Sequence, residues 1–195
     1  MSDHYFTANP SVASDKRFME LSFRGNVLKF ETDAGVFSKN RLDPGTELLL
    51  SSLPERFDGR ALDLGCGWGG VGAFMACMWP HATVVMTDIN ERAAELARVN
   101  LLKNNLRADV FQGDGLSHVE GHFDLIAFNP PIRAGKAVVH RLFSEGGEKL
   151  RGGGSLYIVI RKQQGAASAK RFLADRMEIV KTVARGGGYH VLKAT

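Results

Sequence analysis

The chain has 195 residues, 44% of them hydrophobic, and a formal net charge of +4, which leaves room for one core of moderate size and not for a second independent domain. No apolar run reaches the length needed to cross a bilayer, the longest clear one being Leu156 to Ile160. Cys66 and Cys77, the two cysteines, have the spacing of neither a disulfide framework nor a metal site. Met1 to Pro10 is polar and aromatic, without the basic start and apolar stretch of a secretory signal. The expectation is a soluble cytoplasmic protein with no membrane partner and no metal. Charge is unevenly spread: residues 1–132 carry 12 Lys and Arg against 17 Asp and Glu, and residues 133–195 carry 13 against 4. A basic C-terminal third suits a face that holds a phosphate backbone, although a plainly solvated surface explains the same composition.

In chain order, Phe18 to Arg24 and Val27 to Glu31 flank Gly25-Asn26 and predict a small hairpin closed by that dipeptide. Asp43-Pro44 supplies an N-cap residue and a proline at the first helical position, so Glu47 to Leu53 continue as a helix. Ala61 to Leu64, Val71 to Met78 and Thr83 to Thr87 then read as strand, helix and strand. Asn90 caps a helix whose apolar residues, Ala93, Ala94, Leu96, Ala97 and Leu101, recur at helical spacing. Asp109 to Gln112 and Phe123 to Phe128 are strands, and Val138 to Leu150 is a helix stopped by Gly152-Gly153-Gly154. Ser155 to Ile160 is a buried strand, Ala166 to Ala174 a helix, and Met177 to Val183 with Tyr189 to Leu192 an antiparallel pair around Gly186-Gly187-Gly188. Alternating strands and helices predict a Rossmann-like, doubly wound, mostly parallel α/β sheet of seven strands, ending in that antiparallel pair. Residues 1–195 form a single domain on this reading, with a hairpin-bearing N-terminal extension at 1–42 and the catalytic core at 43–195.

Four elements carry chemistry. Leu62-Asp63-Leu64-Gly65-Cys66-Gly67-Trp68-Gly69-Gly70 ends the first sheet strand, where open α/β sheets bind ligands, and its glycines let the backbone turn and approach a cofactor. The spacing fits the dinucleotide pattern through Gly65, Gly67 and Gly70 as well as a methyltransferase pattern through Gly65, Gly67 and Gly69. Asp88 follows the next strand, where a carboxylate can accept both ribose hydroxyls of an adenosine cofactor, or simply face a helix N-terminus. Gln112-Gly113-Asp114-Gly115 ends the third strand. Asp114 can accept from an adenine amino group while the glycines make room for the ring, and an ordinary turn has the same composition. Asn129-Pro130-Pro131-Ile132 separates the classes. An exocyclic amine has its lone pair delocalised into the ring, so the enzyme must orient it. The Asn129 oxygen and the Pro130 carbonyl can each accept one amine hydrogen on a backbone stiffened by Pro131. His81, His118 and His122 have no partners at metal-ligand spacing and read as surface residues. Trp68 either borders the cofactor or packs on its neighbour.

These residues resemble class I S-adenosylmethionine-dependent methyltransferases that act on amino groups. Gly35-Val36-Phe37-Ser38, Leu42-Asp43, Gly45, His4-Tyr5-Phe6 and Asn9-Pro10 are similar to segments of the small ribosomal RNA guanine-N2 methyltransferases (the MTS domain family). Arg133-Ala134-Gly135-Lys136 resembles a compact single-domain branch of that group. The resemblance implies S-adenosyl-L-methionine as cofactor, ribosomal RNA as partner, and Asn129, Pro130 and Pro131 as catalytic residues. It implies cofactor contacts from Phe37, Thr46, Asp63, Gly65, Cys66, Gly67, Asp88, Ile89, Gly113, Asp114 and Asn129. Ile132, Arg133 and Lys136 fall on the substrate side, the two cations meeting phosphate. Many amino-methyltransferases carry an aromatic residue where this chain has Ile132, so Phe6 or Phe37 covers the target base or recognition does not rest on stacking. DNA adenine, a protein glutamine amide, a nicotinamide-dependent oxidoreductase and a non-catalytic RNA-binding module remain as alternatives.

Overall fold

The computed structural model describes residues 13–36, 42–116 and 118–195. Phe37, Ser38, His4, Tyr5, Phe6, Asn9 and Pro10 lie outside them. An antiparallel hairpin, β1 (Arg17–Phe23) and β2 (Asn26–Thr32), comes first. Its two-residue turn is Arg24-Gly25, one position before the expected Gly25-Asn26, with φ 48° and 79°. The Arg24 guanidinium donates to the carbonyls of Ser51 and Leu53, at 3.1 and 3.2 Å, at the end of the next helix, which holds a residue that otherwise avoids positive φ. This register buries Leu28 and Phe30. Phe30 meets Trp68 edge-on at 4.9 Å and lies 5.9 Å from Phe74, and complete burial of such a ring contributes about 1.5–3 kcal/mol.

The rest is a seven-stranded sheet between two helical layers. In chain order it comprises α1 (Pro44–Ser52), β3 (Arg60–Leu64), α2 (Gly70–Met78), β4 (Thr83–Asp88), α3 (Glu91–Lys103), β5 (Asp109–Gln112), β6 (Phe123–Phe128), α4 (Lys136–Glu148), β7 (Leu150–Arg161), α5 (Ala166–Ala174), β8 (Val180–Gly186) and β9 (Tyr189–Ala194). The strand order is β5-β4-β3-β6-β7-β9-β8, parallel from β5 through β7, with β9 antiparallel to both its neighbours. Alternation along each strand decides which layer it feeds. Ala61, Leu125 and Ala127 pack with α1, α2 and α3, whereas Leu62, Leu64, Ile126 and Phe128 pack with α4 and α5.

Two expected boundaries move. Gly152-Gly153-Gly154 is no helix stop: α4 ends at Glu148 and the glycines lie inside β7. The pairing between β6 and β7 shifts there, and a Cβ on Gly154 would sit 2.9 Å from the Phe123 carbonyl oxygen, so only glycine allows that approach. The strand expected from Met177 begins instead at Val180.

β3 is followed in the sheet by β4 on one side and β6 on the other, which makes the gap between β3 and β6 the switch point. Leu64 pairs with Phe128 there. The residues that follow each strand, Gly65 and Asn129, therefore leave the sheet side by side, where a crevice forms.

Candidate active site

That crevice is a cleft of about 1120 Å³, counted out to its open mouth. Its floor is the glycine turn. Gly65 and Gly67 have φ of 68° and 56°, and a Cβ on Gly67 would meet nothing within 4 Å, so the bare backbone faces open space. Asp88 ties this turn to the end of β4: it accepts from the Gly67 N–H at 2.7 Å and from the Asn90 N–H at 2.9 Å. Burial pushes its carboxyl up to about 6 against the stabilising backbone bonds from Asn90, Gly67 and Ile89. Asp63 lies one layer deeper, accepts from the Gly72 N–H at 2.8 Å, and is pushed by burial, with the Asp88 charge adding to it, up to about 7. Burial also raises the Cys66 thiol well above its ordinary range, so it stays protonated and is no nucleophile.

The wall beyond Asp88 is formed by Ile89, Gly113 and Asp114. Asp114 is exposed, and its Oδ1 accepts from Arg141 at 2.6 Å, which leaves its other oxygen for a ligand. Trp68 does both things considered for it, lining the cleft while packing on Phe30. His118 is half-buried, 3.1 Å from the Thr87 hydroxyl and edge-on to Phe111. Among the described residues no group of His, Cys, Asp and Glu could hold a metal ion, and no helix is long and apolar enough to cross a membrane.

The opposite wall carries Asn129. Its Nδ2 donates to Thr46 Oγ1 at 3.0 Å and to Asp43 Oδ2 at 3.4 Å, which turns Oδ1 away from α1. The next residues hold this position rigidly. Pro131 has φ −75° and ψ 79°, an inverse γ-turn closed by the Ile132 N–H donating to the Pro130 carbonyl at 2.9 Å. That carbonyl keeps one lone pair. Ile132 starts a short 3₁₀ turn and is half-buried against the core under α4, so Pro131, Ala134, Val138 and Leu142 line the mouth in its place. Arg133 and Lys136 stand exposed beside it without an ion pair among the described residues, unlike Arg141 and Arg151, which hold carboxylates.

Asp43 is the site residue that sequence reasoning missed. It caps α1 as expected, accepting from the Gly45 and Thr46 N–H groups, but it also reaches Asn129. A contact across 86 positions leaves no local signal.

A glycine turn with a carboxylate behind it would serve a dinucleotide equally well. What differs is a primary amide, aimed and proline-locked, across the switch point from the glycines. The fold and this pairing define a Rossmann-like methyltransferase site whose cofactor is S-adenosyl-L-methionine.

The chain belongs to the methyltransferase small domain (MTS) family, whose model matches residues 27–193. It is 41% identical over 198 residues to "Uncharacterized protein YbxB" of Bacillus subtilis (strain 168), covering all of this chain and 98% of that one. It is 43% identical over 129 residues to ribosomal RNA small subunit methyltransferase C of Haemophilus influenzae, covering 64% of this chain and 39% of the relative. The chain thus spans well under half the length of that relative. Among solved structures, the T. thermophilus 16S rRNA N2 G1207 methyltransferase (RsmC), in complex with AdoMet and guanosine, superposes with a TM-score of 0.84 at 27% identity, over 95% of this chain and 52% of that one.

Proposed function

We propose that this protein methylates an exocyclic amino group, guanine N2 in ribosomal RNA. The observation that carries the reading is the Asn129 carboxamide, fixed by Thr46 and Asp43 with its oxygen turned away from α1 at the cleft wall, opposite the glycine turn. S-adenosyl-L-methionine supplies an electrophilic methyl group on a sulfonium. Gly65, Cys66 and Gly67 would hold it through backbone and cleft floor, and Asp88 would accept from the ribose. Ile89, Gly113 and Asp114 would border the adenine end, and Asp63 steadies the start of α2. The four elements fit that group, since the open face of Gly67 leaves room where any side chain would stand.

Asn129 Oδ1 accepts one hydrogen of the target amine and the remaining lone pair of the Pro130 carbonyl accepts the other, so the nitrogen lone pair turns toward the methyl carbon. The new N–C bond forms as the C–S bond breaks, and the surplus amine proton leaves to water. Neither Asn129 nor Pro130 removes that proton; their work is orientation and stabilisation of the positive charge growing on nitrogen.

Cations support an RNA acceptor. Arg133 and Lys136 flank the mouth, and along α4 and α5 His140 stacks on Phe172 at 3.9 Å while the Arg176 guanidinium lies 3.8 Å from the same ring centre. The exposed cations of this surface suit phosphates, the Phe172 ring being already covered by His140 and Arg176. The relatives named for ribosomal RNA methylation point the same way. The test is nucleoside mass spectrometry of ribosomal RNA from cells with and without the protein, followed by transfer of labelled methyl to the unmodified RNA in vitro. Loss of N2-methylguanosine in the deleted strain is expected. Unaltered RNA beside a newly unmethylated protein or DNA would overturn the assignment.

A further inference from the structure

We infer that the N-terminal cap of α1 sets the hydrogen-bond polarity of the acceptor pocket, with Thr46 as the positioning residue that makes Asn129 an acceptor rather than a donor. The inference rests on the functional reading above.

The polarity is forced one group at a time. The Asp43 carboxylate oxygens are acceptors throughout, taking the Gly45 and Thr46 N–H groups together with the Thr46 hydroxyl proton. With its proton committed to Asp43, the Thr46 oxygen has only lone pairs to turn toward Asn129. The asparagine must therefore present Nδ2, at 3.0 Å. Its second contact, Asp43 Oδ2 at 3.4 Å, is again an acceptor, so a flipped carboxamide would set oxygen against two lone-pair-bearing oxygens. Oδ1 is left for the substrate. An asparagine alone offers a substrate either a donor or an acceptor, whereas this one offers only an acceptor. The pocket thus selects a group that brings N–H bonds, an exocyclic amine, over a ring nitrogen or keto oxygen of similar size, whose lone pairs would meet another lone pair.

Thr46 suits a test because its side chain is separable from the cap. Thr46→Val keeps the shape and the backbone N–H that Asp43 receives, and removes only the hydroxyl; Thr46→Ser restores it. Four proteins are compared with the wild type: Thr46→Val, Thr46→Ser, Asn129→Ala, and Thr46→Val with Asn129→Ala, with Thr46→Ala replacing valine should valine disturb the first turn of α1. Thr46→Val is expected to lower kcat by about tenfold or more, with KM for the acceptor held within about twofold, and serine to recover most of the loss. In the Asn129→Ala background the valine should cost no more than about twofold, because a residue acting through Asn129 has nothing left to act on. Losses that multiply in the double variant, or wild-type kcat in Thr46→Val, would overturn the inference. Proton exchange at the Asn129 carboxamide, followed by NMR in the protein without acceptor, gives an answer independent of the acceptor's identity. It should speed up in Thr46→Val and return in Thr46→Ser, and an unchanged rate counts against the inference. If wild-type protein methylates no RNA while the exchange behaves as expected, it is the functional reading that fails and the polarity device that stands.

Discussion

Replacing Asp88 with alanine removes one carboxylate from the Gly67 turn and the start of α3 and, on the proposed function, from the ribose. Its bond to the Gly67 N–H, 2.7 Å, pre-positions the glycine turn and the one to the Asn90 N–H, 2.9 Å, the start of α3; on the proposed function its remaining lone pairs would serve the cofactor hydroxyls. Loss of hydrogen bonds to a charged acceptor costs about 1.5–3 kcal/mol, which is about 10- to 150-fold in Kd. The wild-type affinity should also carry a pH signature. Because burial raises the Asp88 carboxyl to about 6, it is ionised at pH 8 and about nine-tenths protonated one unit below its midpoint, so S-adenosylhomocysteine should bind about tenfold more weakly at pH 5 than at pH 8. Titration calorimetry across that range, on wild type and Asp88→Ala, reads both effects, and the variant should be weak and flat with pH. Asp63 titrates nearby at about 7, so the series is repeated on Asp63→Asn to leave one carboxylate in the window. A variant that binds as tightly as wild type, or that keeps the full pH slope, would show that Asp88 is a structural cap and not the ribose acceptor.

Asp63→Asn should itself raise stability at high pH. Its folded value of about 7 lies above the ordinary 3.8, so the fold prefers the protonated form, and the stability present below pH 4 is lost as pH rises through 7. Asparagine keeps an acceptor for Gly72 without the charge. The penalty is on the order of 4 kcal/mol by linkage, or on the order of 10 °C in Tm for a chain of this size, visible by calorimetry at pH 8 and absent at pH 4; equal shifts at both values would refute it. Asn129→Ala should lower turnover by about a hundredfold with S-adenosylhomocysteine affinity within a few fold, and unimpaired turnover would reject the orienting role. Arg133→Ala with Lys136→Ala should raise KM for RNA and flatten its salt dependence at unchanged cofactor affinity. A steady salt slope would mean that the two cations only solvate a loop.

The order of elements and the parallel sheet were legible because each strand is a short apolar run next to a helix with its own cap, as Asn90 shows before α3. The glycine turn and the amide between strand and prolines were legible for the same reason: their chemistry is contiguous in sequence. What misled was composition that serves two geometries. Three glycines end helices, yet Gly152 to Gly154 bring β7 against the β6 backbone, and only the partner strand distinguishes the two. Gly25-Asn26 is a good turn pair, but the register that buries Leu28 and Phe30, with Arg24 held on the carbonyls of α1, wins over local preference. Ile132 stood where an aromatic was expected to face the base, and it turns into the core. Asp43 looked complete as a cap. Its bond to Asn129 exists only once α1 and β6 have met, and no pattern within either segment announces it.

The switch point splits the cleft along a seam with consequences for how such a pocket diversifies. Everything proposed to grip the cofactor's nucleoside lies on β3, β4 and β5 or the turns after them, whereas the groups that orient the acceptor come from α1 and the turn after β6. The two sets meet along the β3 and β6 ladder, whose last pair is Leu64 and Phe128. On the proposed function, a new amine, nucleobase or peptide amide would ask for changes around Asp43, Thr46 and Asn129 to Ala134, and the donor side could stay as it is.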